Sequence, residues 1–266
     1  MTLAVEPPAL LDYARQLDRA ANDAAAIRGY VCRFAAEGAG GELYSLAREG
    51  HDHAVSVLTT ALTRLTTLLE ASGPEVSGAA GYYRQTDRAV ATAVDRTLAP
   101  GSCQCPTALE YEFATTVCRP APFNDLRDPT GRLTPPPEPA NPPNSLGWMD
   151  YLSPTSWAMQ GFDIVLGFDP IEKLQEMVFG DWEALATMDP VLANAGAALH
   201  DLALNVQSGA TTLHPLWQGN AGDAAYRYFT DLATAVTMLE APLKDIGQAY
   251  LTMADGVWAV CEALGG

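Results

Sequence analysis

LHDLALNVQSGATTLHPLWQGNAGDAAYRYFTDL, residues 199–232, reads as helix, turn, helix. Leu199, Leu202, Val206 and Leu213 step by three, four and seven before the turn, which keeps them on one helical face. Upstream the same stripe holds Leu185, Met188, Leu192 and Ala195, with Asp189-Pro190 either kinking or restarting a helix that opens at Asp181. After the turn a second stripe runs Ala225, Tyr228, Leu232, Val236, Leu239, Leu243, Ile246, Tyr250, Met253, Val257, Val260 and Leu264. It predicts a helix over about 221–263 that Pro242 bends slightly. Asn220 is placed to N-cap it.

The N-terminal third repeats the pattern. Leu10, Tyr13, Leu17, Ala20, Ala24, Ile27, Val31 and Phe34 predict a helix over 7–36, opened by Pro7-Pro8 and closed by Gly38-Ala39-Gly40-Gly41. A short turn of helix is expected near Leu43–Arg48. A longer helix over about 50–97 carries Leu58, Leu62, Leu65, Leu69, Val76, Ala80, Tyr83, Val90 and Val94. Gly73-Pro74 predicts a kink or short break in it. No β-type alternation of useful length is present. Between the two helical regions lie three cysteines and the run Pro135-Pro136-Pro137-Glu138-Pro139-Ala140-Asn141-Pro142-Pro143, a polyproline-like connector or insert. Beyond it Trp157, Phe162, Ile164, Val165, Leu166 and Phe168 form an apolar segment. Asp169-Pro170-Ile171-Glu172 starts a short helix ending near Phe179.

The fold class is therefore all-α. A lone hairpin cannot bury both of its stripes, so the two hairpins are expected to dock as an elongated four-helix bundle with a Pro-rich irregular insert. The domains are an N-terminal hairpin over 1–97, a Cys/Pro-rich linker or insert over 98–153, and a C-terminal helical region over 154–266.

Composition limits the partners. The 266 residues carry a formal charge of −17, with lysine only at Lys173 and Lys244. Such a surface repels nucleic acid and anionic membranes. Hydrophobic residues make up 48%, which excludes wholesale disorder. No apolar stretch reaches the ~20 residues of a transmembrane helix. The start lacks the basic and apolar regions of a signal peptide, and by that rule alone the chain is cytoplasmic.

Chemistry-bearing patterns are few. His51 and His53 are two apart and so point to opposite sides of a helix, which excludes the i, i+4 metal pair. With His200 and His214 they read as exposed or capping histidines. No phosphate loop, nucleophile elbow or acid–base pair stands out, so no catalytic residue, metal or cofactor is expected. Cys32 and Cys261 read as buried free thiols in helices. Metal binding at Cys103, Cys105 and Cys118 would want a fourth ligand and no His lies nearby, so a Cys103–Cys118 or Cys105–Cys118 disulfide is the preferred reading.

Two short motifs remain. Trp217-Gln218-Gly219 sits in the turn between long amphipathic helices, where an indole can pack across helix ends and glycine permits a tight turn. Tyr83 and Asp87 are four apart, hence neighbours near the end of a helix. Each alone is ordinary. Together they resemble the actinobacterial WXG family, helical hairpins exported by the type VII (ESX) secretion system. In that family a W-x-G turn joins two helices, and a Y-x-x-x-D/E signal lies late on a second helix, usually of a partner chain. Trp217 and Gly219 match the turn, and Tyr83 and Asp87 match the signal. The first hairpin, with Leu3-Ala4-Val5-Glu6-Pro7 ahead of it, is similar to small ESX secretion-associated proteins that lack W-x-G. It carries Gly38–Gly41 in that place, and the second hairpin has Asp255 one position late after Tyr250. The resemblance leaves residues 98–169 unexplained. It implies a secreted or cell-surface, non-enzymatic substrate whose two halves form a pseudo-heterodimer. The implied reader is the secretion ATPase or a dedicated chaperone, with another WXG-type protein as a further partner. Rival readings are the trafficking module of a larger toxin and a cytoplasmic helical adaptor or chaperone.

Overall fold

The computed structural model describes residues 4–37, 42–86, 88–98, 107–115, 121–138 and 182–265. Asp87, Cys103, Cys105, Cys118, the Gly38–Gly41 run and the expected helical segments between 154 and 179 lie outside them.

Helices account for most of the described residues. They are α1 (Pro7–Glu37), α2 (Glu42–Gln85), α3 (Arg88–Asp95), α4 (Ala108–Thr115), α5 (Trp182–Leu213), α6 (Asn220–Thr237) and α7 (Glu240–Gly265). The long apolar stripes produce them, and stripe positions such as Leu10, Leu17, Leu69, Leu199 and Leu202 are fully or almost fully buried. No helix among the described residues is long and apolar enough to cross a membrane.

Proline does not break the helices where its chemistry alone suggests. α2 runs through Pro74 and α5 through Pro190 as single helices. Leu69, Val76 and Ala80 are buried on both sides of Pro74, so continuous burial outweighs one missing backbone hydrogen bond. The break comes after Gln85 instead, and α3 restarts at Arg88. Its phase has slipped: Ala91 and Asp95 are buried, whereas Val90 and Val94 are 54% and 49% exposed. The long last helix is two helices. Pro242 sits in the first turn of α7, where its missing N–H costs nothing. Cys32 is exposed rather than buried, because it lies one residue, about 100° around the helix, past the buried Val31.

Contacts divide the chain into two units. Unit 1 comprises Met1–Ala26, Thr63–Thr130 and Ala198–Leu239. Its core gathers Leu10, Tyr13 and Leu17 of α1, Leu65 and Leu69 of α2, Val206 and Leu213 of α5, and Phe229 and Val236 of α6. Tyr13 is central: its hydroxyl donates to the Val206 carbonyl at 3.1 Å, and its ring meets Phe229 edge-on at 5.0 Å. α4 begins with a reciprocal cap in which Thr107 N donates to Glu110 and Glu110 N donates to the Thr107 hydroxyl. It is tied to the rest of the unit by Tyr226–Glu110 and by His200–Glu112 at 3.0 Å.

Unit 2 comprises Ile27–Leu62, Gly131–Ala197 and Glu240–Gly266. Ile27 and Val31 of α1, Leu62 of α2, Val191 and Leu192 of α5, and Leu243 and Tyr250 of α7 are buried in it. Tyr30 donates to the Thr134 carbonyl at 2.8 Å and accepts from Asn194 at 3.1 Å. His51 is buried, against expectation, with Nδ1 2.6 Å from the Tyr250 hydroxyl. His53, on the opposite side, is exposed.

Candidate functional site

The turn between α5 and α6 is the most elaborate structure in unit 1. A single 3₁₀ turn, His214–Leu216, leads into the two-residue strand β2 (Trp217–Gln218). It pairs antiparallel with β1 (Ala4–Val5), placing Ala4 opposite Gln218 and Val5 opposite Trp217. Glu6 N donates to the Leu216 carbonyl at 2.9 Å, so the N-terminal residues are stitched along the turn. Two residues are too few for an alternation to register in sequence.

Trp217 is buried, and its Nε1 donates to the Tyr83 hydroxyl at 3.4 Å. The two rings meet edge-on, centroids 6.2 Å apart, the geometry an aromatic quadrupole favours. Tyr82 packs on Tyr83 in the same manner at 5.4 Å. Partial burial pushes the Tyr83 hydroxyl above the usual tyrosine range, opposed by the indole hydrogen bond.

Gly219 takes φ 127°, a conformation side-chain-bearing residues rarely adopt. Gly222 permits a close approach: an added Cβ would lie 1.8 Å from the Trp217 carbonyl oxygen. Asn220 is not the N-cap. Gly219 occupies that position, and the cap comes from Asp95 at the end of α3. The Asp95 carboxylate accepts from Asn220 N at 3.1 Å and Ala221 N at 3.0 Å. In return Asn220 Nδ2 donates to the carbonyls of Asp95 at 3.0 Å and Leu98 at 2.9 Å. A negative group at a helix N-terminus satisfies orphan amides and complements the helix dipole. Behind the turn, His214 lies 3.0 Å from Asp223 and stacks on Tyr226 at 4.4 Å.

Of the four residues that the two motifs single out, Tyr83, Trp217 and Gly219 stand at one place. The fourth, Asp87, lies outside the described residues, as do the three candidate disulfide cysteines. Asp95 is the member that sequence reading misses; its only local signal is an acid on the buried, Ala91-bearing side of α3. A cleft of about 440 Å3 opens beside the turn, lined by Ala4, Val5, Glu6, Pro7, Tyr83, Thr86, Ala91, Pro215 and Leu216. Among the described residues no group of His, Cys, Asp and Glu is arranged to hold a metal ion. The site offers an aromatic pair, a glycine turn and an open cleft.

No protein-family model, curated protein or solved structure matches this chain.

Proposed function

We propose that this chain is a non-enzymatic substrate of a type VII (ESX) secretion system, a fused pseudo-heterodimer with its own composite export signal. In this reading the hairpins of residues 1–97 and 154–266 dock as a four-helix bundle, with 98–153 as the insert. The supporting observation is the meeting of Tyr83 and Trp217, 134 residues apart in sequence. The family resemblance assigns one to each half of a single signal, Tyr83 with Asp87 and Trp217 with Gly219. A tyrosine ring supplies contact area, a carboxylate a charge-assisted hydrogen bond, and an indole an anchor. A secretion ATPase or dedicated chaperone reads the patch on the folded protein, with another WXG-type protein as a further candidate partner. The chain is then made in the cytoplasm and delivered to the cell surface or beyond.

The test is export from the native strain of Tyr83→Ala and Asp87→Ala, followed as protein in culture filtrate against lysate. Both are expected to accumulate in the lysate while remaining protease-resistant there. Wild-type export of either variant overturns the assignment of the signal.

A further inference from the structure

Residues 121–127 form no helix or strand, yet side chains of two helices in unit 1 hold them. On α1, Arg19 Nε donates to Asp125 Oδ2 at 2.8 Å, and its Nη2 donates to Asp125 Oδ1 at 3.2 Å and to the Phe123 carbonyl at 2.6 Å. Gln16, about one turn earlier, donates from Nε2 to Asp125 Oδ1 at 3.2 Å and to the Asn124 carbonyl at 3.4 Å. On α5, Asn205 accepts from the amides of Leu126 at 2.8 Å and Arg127 at 3.0 Å, and donates to the Arg127 carbonyl at 3.0 Å. Phe123 is buried, with its ring 6.2 Å from that of Tyr13.

These contacts have the form of peptide recognition. The Asn205 amide pairs with backbone groups only, so it reads a main chain whatever side chains that chain carries. The Arg19 guanidinium engages both oxygens of one carboxylate, a geometry that selects an acid. Phe123 supplies the apolar anchor against Tyr13. None of the three contacts depends on the covalent link between the segment and the helices. We propose that the face of α1 and α5 around Tyr13, Gln16, Arg19 and Asn205 is a peptide-binding groove. The chain's own residues 122–127 fill it, and a segment of another protein that carries an aromatic ring two residues before an aspartate fits it in their place.

The present occupant is replaceable on three grounds. The side chains of Arg19 and Asp125 are 42% and 26% exposed, so solvent, and with it a second carboxylate, reaches the ion pair. Phe123 is held at φ 63°, a left-handed conformation that is strained for a bulky residue. Gln16 aims its donor at the segment while its own Oε1, fully buried, accepts no hydrogen bond. A tethered occupant competes at an effective concentration on the order of millimolar. An outside segment therefore gains once the tethered one loses its ring or its carboxylate. The groove does not depend on the export reading.

The test uses the full chain and the peptide Pro-Phe-Asn-Asp-Leu-Arg, a copy of residues 122–127, capped at both ends and labelled for fluorescence anisotropy. A chain carrying both Phe123→Ala and Asp125→Ala should bind it saturably, about tenfold or more tightly than the wild type does. Asp125→Asn alone keeps the ring and the shape of the segment, and guards against a double variant that fails to fold. It should also bind the peptide more tightly than wild type, with a smaller gain. Changing the peptide's aspartate to asparagine, or its phenylalanine to alanine, should weaken binding about tenfold. Adding Arg19→Gln to the Asp125→Asn chain should weaken it by a similar factor. Equal affinity for wild type and both weakened chains overturns the proposal. So does binding indifferent to the peptide's aspartate, its phenylalanine or Arg19, and so does an Asp125→Asn chain that binds no peptide up to about 1 mM.

Discussion

The carboxylate of Asp95 caps a helix that begins 125 residues later, at Asn220. This one side chain satisfies two amides, while Asn220 returns two hydrogen bonds to the chain around Asp95. The exchange fixes the end of α3 to the start of α6, and thereby the floor on which Trp217 and Tyr83 meet. Asp95→Ala leaves those amides without an acceptor in a partly buried place. It should cost about 1–3 kcal/mol, within the range for an uncapped helix or an unsatisfied buried donor. Urea unfolding measures this, and Asp95→Asn, which keeps one acceptor oxygen, should fall between Asp95→Ala and wild type.

Glycine substitutions should divide sharply by position. At Gly222 an added methyl meets the Trp217 carbonyl oxygen at 1.8 Å, backbone that cannot swing aside. Gly222→Ala should therefore destabilise by about 1–3 kcal/mol as an overpacked site. At Gly29, inside α1, nothing lies within 4 Å of the added carbon. Gly29→Ala should stabilise by about 0.5–1 kcal/mol, through helix propensity and a less mobile unfolded chain. Equal shifts in unfolding midpoint for the two variants would contradict the packing at the turn.

What the sequence discloses follows from the range of each interaction. Helix periodicity is local and repeated, so the buried faces of α1 and α5 can be read from stripes such as Leu10–Leu17 and Leu199–Leu202. On α6 the expected stripe is out of phase: Tyr228 is 45% exposed, and its neighbour Phe229 is buried with Ala233 and Val236. The Trp217 turn is flanked by those stripes and is equally plain. The phase of α3 is not, since the slip between Gln85 and Arg88 turns Ala91 inward in place of Val90. Asp95 and Asn205 act on backbone far away in sequence, and nothing adjacent to either announces a partner. A similar difficulty hides β1 and β2, whose pairing exists only because the folded chain brings Val5 to Trp217.

His51 should make stability depend on pH in unit 2. Burial holds its imidazole below the usual histidine range, with Asp52 and the Ala35 backbone opposing the shift. The unfolded chain therefore takes up a proton at higher pH than the folded one. Stability is complete above the ordinary histidine value of about 6.5 and is lost as pH falls through it toward the lower, folded value. Asp23 acts with the opposite sign, since its raised value adds stability as pH falls below about 6. His51→Phe should remove the acid-side loss, so thermal midpoints of this variant between about pH 5 and 7.5 should rise on acidification relative to wild type.

Asn205 decides how firmly the Pro-rich insert is attached at its start. Composition alone predicts first proteolytic nicks near 130–146, because proline-rich backbone has few partners of its own. Thr134 within that stretch and Leu126 and Arg127 just before it do have partners. Asn205 mimics a strand neighbour for Leu126 and Arg127, and Tyr30 and Asn194 both donate to the Thr134 carbonyl, at 2.8 and 3.3 Å. Cleavage between 121 and 134 requires these bonds to open first, so its rate reports local rather than chain stability. Asn205→Ala removes three bonds from the segment and leaves α5 helical, since the side chain makes no contribution to the helix ladder. Cutting between residues 121 and 130 should then accelerate about tenfold or more, corresponding to ~1–3 kcal/mol of lost hydrogen bonding. Cutting near Thr134, held by Tyr30 and Asn194, should change far less. Mass spectrometry of early digestion products separates the two rates, and an Asn205→Ala chain that resists cleavage at 121–130 like the wild type would show that Arg19 and Gln16 hold the segment unaided.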